Sequence, residues 1–234
     1  MHEPDRCRGS TSTPDALALI HDISPLISDR LAVWPGDTPP TREILLDLAR
    51  GDAVTLSTCR ATVHLGAHAD APSHYGRDAD SIEARRLDLY IGPCRVVTAR
   101  ARPRRRVALD DLDNLDDDCR APRFLIRTGT YPDPNVFRDD FAALEPALID
   151  HLAARGVRLV GIDTPSVDLF DSKDLPAHQM LLKHDLAVLE GLVLDGVPDG
   201  LYELIALPLR LKGYDASPVR AILRTPAPRD EAQP

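Results

Sequence analysis

The chain has 234 residues, 43% of them hydrophobic and 28% charged, with a formal net charge of −9. That length suits a globular α/β chain with a sizeable core, and the acidic balance excludes the basic footprint that nucleic-acid binding needs. No apolar run approaches the ~20 residues of a membrane-spanning helix, and the start of the chain lacks the apolar stretch of a secretory signal, so a cytoplasmic protein is expected.

Residues 1–16 are rich in Ser, Thr, Pro and charge and are expected to form a disordered arm, as is the tail 225–234; the folded domain is expected over 17–224. Val54 to Leu65 partly alternates and is read as a strand that delivers His64. Short apolar runs at Arg95 to Ala99, Phe124 to Thr128 and Arg158 to Asp163 fit buried strands. Between the first two lies a basic run, Arg100 to Arg106, followed by the acidic stretch Asp110 to Asp118; a solvated loop with complementary charge is the expectation. The clearest helix spans Glu145 to Arg155, with Pro146 at its start, Gly156 at its end and Leu148, Ile149 and Leu152 as its apolar stripe. A second helix is predicted over Leu175 to Lys183, with strands at Ala187 to Leu194, Tyr202 to Lys212 and Val219 to Arg224. The pattern predicts a mixed, β-rich α/β fold.

Cys7, Cys59, Cys94 and Cys119 form neither a CxxC pair nor a disulfide framework. Cys59 is read as a small buried strand residue. No Gly-x-Ser-x-Gly motif is present, so no nucleophilic serine is marked.

The densest chemistry lies in His64-Leu65-Gly66-Ala67-His68-Ala69-Asp70-Ala71-Pro72-Ser73-His74. Imidazole and carboxylate are the usual ligands of catalytic zinc, which keeps a position open for water. In a straight strand His64 and His68 would stand ~13 Å apart, too far for metal–ligand bonds of ~2.0–2.2 Å. Gly66 and Pro72 argue against a helix. A strand that breaks into a curled loop at Gly66 reconciles the spacing. Scattered histidines are the bland alternative, and three of them with an aspartate around a Gly/Pro turn favour the metal.

This segment resembles the HxGxHxDxPxH signature of the cyclase-like metal hydrolases, and within them the kynurenine formamidase (arylformamidase) branch. Asp22-Ile23-Ser24-Pro25, Val33-Trp34-Pro35-Gly36-Asp37-Thr38, Arg127-Thr128-Gly129 and Gly161-Ile162-Asp163-Thr164-Pro165-Ser166-Val167-Asp168 resemble further family blocks. His178, with Glu190-Gly191-Leu192 twelve residues later, resembles the C-terminal half of the metal site, and the likeness runs from about Leu19 to Arg224. It implies a swivelling β/β/α fold and a homodimer. It implies two zinc ions per subunit, with other divalent ions such as Mn²⁺ also suited to these ligands. His64, His68 and Asp70 would bind the first ion; Asp70, His178 and Glu190 the second, with Asp70 and Glu190 bridging. His74 would be the general acid/base and Trp34 would lie against an aromatic substrate. The implied reaction is hydrolysis of N-formyl-L-kynurenine to L-kynurenine and formate in tryptophan breakdown, by a metal-activated water.

On the residues alone His178 and Glu190 are weaker. Glu190 sits in Ala-Val-Leu-Glu-Gly-Leu-Val-Leu, where a buried carboxylate needs a partner or a metal, and Gly191 would permit close packing beside it. His184 competes with His178, and only the family register favours the latter. Asp168 and Asp171 follow a strand end and suit either a pocket or a plain turn. A related cyclic-amide hydrolase acting on isatin, and a metal-binding protein without turnover, are the competing readings.

Overall fold

The computed structural model describes residues 19–113 and 121–226. The expected arm, most of the expected tail, Cys7, Cys119 and the end of the acidic stretch lie outside these residues. In chain order the strands are β1 (Ile20–Asp22), β2 (Thr41–Leu46), β3 (Leu56–Arg60), β4 (His68–Asp70), β5 (Ile91–Thr98), β6 (Arg106–Val107), β7 (Arg123–Arg127), β8 (Ala143–Leu144), β9 (Leu159–Ile162), β10 (Ala187–Glu190), β11 (Gly200–Ile205), β12 (Ala216–Pro218) and β13 (Ile222–Arg224). Two α-helices, α1 (Pro146–Ala154) and α2 (Pro176–Lys183), flank β9 in sequence. The fold is mixed α/β and strand-rich.

Nine strands form one sheet in the order β1-β13-β11-β5-β7-β9-β10-β4-β12. Its centre, β5-β7-β9-β10, is parallel, and both flanks are antiparallel. The parallel strands are apolar on both faces, as burial under two layers demands. Alternation then sorts their side chains. Val96, Leu125, Leu159 and Leu189 enter one core, whereas Val97, Phe124, Ile126, Val160 and Val188 enter the other, beneath α1 and α2. The stripe Leu148, Ile149 and Leu152 of α1 is fully covered there, and Leu181 of α2 joins it.

Three expectations change. The strand over Val54 to Leu65 ends at Arg60, so His64 sits in a bend and the next strand starts at His68. β3 pairs instead with β2 as a separate hairpin whose residues are exposed, Cys59 among them. The arginine run is not wholly a solvated loop. Arg104 pairs with Asp139 at 2.9 Å, but Arg106 turns inward to a buried aspartate, Asp168, at 2.8 Å. The short edge strand β12 carries no alternation long enough to have marked it.

Because α2 carries a histidine of the site, its packing is testable. Leu181→Ala removes a fully buried side chain and should cost about 2–5 kcal/mol, read as a lower denaturation midpoint at unchanged slope. A loss below about 0.5 kcal/mol would show that the core around α2 closes over the cavity.

Candidate metal centre

β4 supplies His68 and Asp70 on one face of the sheet, two residues apart. Antiparallel pairing with β10 sets Glu190 opposite His68 and Val188 opposite Asp70. β12 closes the other side of β4, with Ala216 opposite Asp70. Beyond Asp70 the chain turns at Pro72 into a 3-10 turn, Pro72–His74, that ends on His74. His178 enters from the first turn of α2.

Gly66 and Gly191 make this convergence possible. A Cβ on Gly191 would stand 2.2 Å from the Gly66 carbonyl oxygen, and both residues hold positive φ, +57° and +65°. Gly191 thus packs closely against the Gly66 backbone beside Glu190. The Gly66 carbonyl in turn accepts a hydrogen bond from His68 Nδ1 at 2.8 Å.

The functional atoms face one another at distinctive spacings. Asp70 Oδ1 lies 3.0 Å from His64 Nδ1 and 3.4 Å from His68 Nε2. Asp70 Oδ2 lies 3.6 Å from His178 Nε2, which stands 3.4 Å from Glu190 Oε1. Glu190 Oε2 lies 3.5 Å from His68 Nε2. Both Asp70 oxygens and His178 Nε2 are buried without an aligned hydrogen-bond partner. Two ligands bound tetrahedrally at ~2.1 Å stand roughly 3.4 Å apart, so these distances suit edges of a coordination shell better than hydrogen bonds. Asp70 and Glu190 are only 1% and 3% exposed. Two such carboxylates side by side need cations to offset their lost hydration. The arrangement fits a divalent metal: His64, His68 and Asp70 gather around one position, Asp70, His178 and Glu190 around another. Asp70 directs one oxygen to each, and Glu190 Oε2 approaches His68 from the second.

Without an ion, protons take that role. Burial pulls the His68 imidazole down, but Asp70 and Glu190 outweigh it and hold its pKa at about 10. His178 is likewise depressed by burial, yet Asp168, Asp70 and Glu190 raise it well above the usual imidazole range. Burial raises the Asp70 carboxyl, and the imidazoles of His178, His64 and His68 bring it well below the usual carboxylate range.

Asp168, one of two aspartates the sequence left between pocket and turn, anchors His178. Its carboxylate accepts from His178 Nδ1 at 2.8 Å and from the Ala177 and His178 backbone N–H groups, capping α2. Arg106 pairs with its far side. Asp171 is an exposed turn residue. His184 points away from the cluster, to Asp150 at 2.8 Å. Asp215, which no sequence signal marked, approaches His64 and His74 from the residue before β12.

A cavity of about 620 Å³ opens beside the cluster, lined by His64, His68, His74, His178 and Glu190 at one end and by Trp34, Tyr131 and Phe137 at the other. Trp34 meets Phe137 edge-on at 5.6 Å and Phe170 at 5.0 Å. Asp163 lines the wall, its carboxylate accepting from Thr128 N, Thr128 Oγ1 and Gly129 N at 2.8, 2.7 and 2.9 Å. No helix among the described residues is long and apolar enough to cross a membrane.

A sequence model of the Cyclase family matches residues 21–169. The chain is 45% identical over 208 residues to a kynurenine formamidase from Maricaulis maris (strain MCS10), spanning 89% of this chain and 99% of that protein. A solved structure described as a potential metal-dependent hydrolase with cyclase activity has a TM-score of 0.77 at 27% identity, over 90% of this chain and 100% of the other. Isatin hydrolase A from Labrenzia aggregata has a TM-score of 0.74 at 23% identity, over 89% and 94%, a likeness of fold alone.

The titration state of the cluster sets a measurable linkage. A raised imidazole pKa stabilises the metal-free fold fully below the unfolded value near 6.5, and that contribution fades as pH climbs to about 10 for His68. A metal must displace the same protons, so its affinity should rise with pH over that window. Zinc calorimetry at pH 7 in buffers of different ionisation enthalpy should show net proton release. Zero release would mean that the rings are already neutral.

Proposed function

The chain belongs to the Cyclase family, and from that premise we propose that it hydrolyses N-formyl-L-kynurenine to L-kynurenine and formate in tryptophan breakdown. It is an amide hydrolase acting on a linear C–N bond. The carrying observation is a pair of buried carboxylates among imidazoles, with Asp70 turning one oxygen to each of two adjoining ligand sets, beside a pocket with an aromatic wall. Identity of 45% with a kynurenine formamidase over nearly its whole length supports the substrate. The cyclic-amide alternative rests on fold likeness at 23% identity, and no contact in the pocket favours it.

The proposed ligands are His64, His68 and Asp70 for one zinc ion and Asp70, His178 and Glu190 for a second, a donor set that other divalent ions such as Mn²⁺ can also use. When bound, such ions supply Lewis acidity and lower the pKa of water from 15.7 to about 7. The protein's own groups do the rest. Trp34, with Tyr131 and Phe137, receives the aryl ring and orients the formamide toward the carboxylate end of the cavity. His74 accepts a proton from the attacking water as its oxygen bonds to the formyl carbon. As the carbon–nitrogen bond breaks, His74 returns that proton to the departing arylamine. An imidazole suits both directions because one ring nitrogen can take up a proton and later release it. Burial of His68, His178, Asp70 and Glu190 keeps bulk water from the ligand atoms.

A homodimer belongs to the same reading. The β2–β3 hairpin exposes Ile44, Leu45, Leu46, Leu48, Val54 and Leu56. A two-stranded hairpin by itself is marginal in water, and so large an apolar patch marks a protein contact. A second copy is the proposed cover.

Three measurements test these readings. Turnover of N-formyl-L-kynurenine should vanish on chelation and return with zinc. His74→Ala should keep its metal while kcat falls by about 10²–10⁴; loss of metal would make His74 a ligand, and turnover of isatin alone would move the substrate. Light scattering should find a dimer that L46E/L56E converts to a folded monomer. An unaltered dimer would place the interface elsewhere.

A further inference from the structure

Each of the three imidazoles around the cluster presents one nitrogen to the carboxylates, and its other nitrogen is tied elsewhere. His68 Nδ1 is held by the Gly66 carbonyl at 2.8 Å and His178 Nδ1 by Asp168 at 2.8 Å. For His64 the tie is Asp215, whose Oδ2 lies 2.9 Å from His64 Nε2. The first tie is part-buried and the second buried, and each serves one ring. The third is different. The same Asp215 oxygen lies 3.5 Å from His74 Nδ1, and the His64 and His74 rings stand 4.2 Å apart, centroid to centroid.

Asp215 is built to stay in place. Its backbone carbonyl accepts from Ala71 N at 2.8 Å, and the next residue, Ala216, is registered opposite Asp70 across β4 and β12. The main chain of Asp215 is thus locked to the strand that carries His68 and Asp70. Its carboxylate, 48% exposed, reaches over the rim to the two rings.

We propose that Asp215 is a positioning residue shared by His64 and His74, resting on the two-ion hydrolase reading above. By accepting from His64 Nε2–H it fixes the tautomer whose Nδ1 lone pair faces Asp70 Oδ1 and a metal beside it. By standing on the Nδ1 side of His74 it turns that ring so that Nε2 is the nitrogen left for a proton in transit. One carboxylate thereby couples the orientation of a ligand to that of the acid–base group. A third ion held by His64, His74 and Asp215 is the competing use of the same atoms. It would require His64 Nε2 to give up its proton while Nδ1 faces the first position.

The test is zinc affinity and stoichiometry by competition with a chelating indicator, with kcat and KM measured at saturating zinc, for wild type, Asp215→Ala and Asp215→Asn. Asp215→Ala should bind two ions with the weaker step loosened about 10–100-fold. Its kcat should fall by about 10-fold or more with KM within about twofold. Asp215→Asn keeps an acceptor in the same place and should recover most of the affinity. Unchanged affinity or unchanged kcat in Asp215→Ala overturns the shared role, even if the melting temperature falls. Loss of one equivalent of zinc with the remaining affinities intact overturns it in favour of a third ion. A wild type that binds zinc but leaves N-formyl-L-kynurenine intact would count against the substrate, and the zinc arm would still decide how Asp215 acts on His64.

Discussion

Asp70 and Glu190 lie side by side in the interior, nearly free of solvent contact. Two anions so placed repel each other and have lost their hydration, a cost of several kcal/mol for each. The structure around them is arranged to supply positive charge. Three imidazoles converge on the pair, and without a metal the neighbouring carboxylates hold His68 and His178 above the usual imidazole range. A divalent cation meets the same demand more compactly, because each carboxylate has a second oxygen to share. The cluster is therefore a place where protons and metal ions compete.

The backbone delivers this arrangement through register. Glu190 lies across from His68 because β10 runs antiparallel to β4, and β10 is itself held parallel to β9 in the sheet centre. A slip by one residue would turn Glu190 out of the cluster and bring Leu189 in. The Gly66–Gly191 contact guards against that slip, since no side chain fits between the two backbones. Around the cluster an acceptor stands beside each imidazole: Gly66 O under His68, Asp168 under His178 and Asp215 beside His64. Asp168 also caps α2 and pairs with Arg106, so helix placement, ring orientation and a buried arginine depend on one carboxylate.

Much of the fold was legible because apolar runs and helix punctuation are local. α1 begins at Pro146 and ends before Gly156, and the central strands fall where the apolar runs lie. The exceptions are instructive. Val54 to Leu65 has strand-like composition, but its partner is β2 in an exposed hairpin, and the chain leaves that hairpin before His64. β12 is short and sits on an edge, so its sequence needed no alternation. Cys59 looks like a buried strand residue only if the strand is buried.

By itself the sequence determined the chemistry at hand: histidine and aspartate crowded into one Gly/Pro-shaped segment, an acidic composition, and a likeness to a metal-hydrolase family that singled out His178 and Glu190. Ligand type and spacing are written in the chain, so they can be read there. Only the tertiary structure decided which oxygen faces which nitrogen, that Asp168 lies beneath His178, and that Asp215 reaches both His64 and His74. The contacts of Asp168 with His178 and of Asp215 with His64 join residues 10 and 151 positions apart. A lone aspartate before an edge strand carries no local signal, because its partners are set by sheet register and not by its neighbours in the chain.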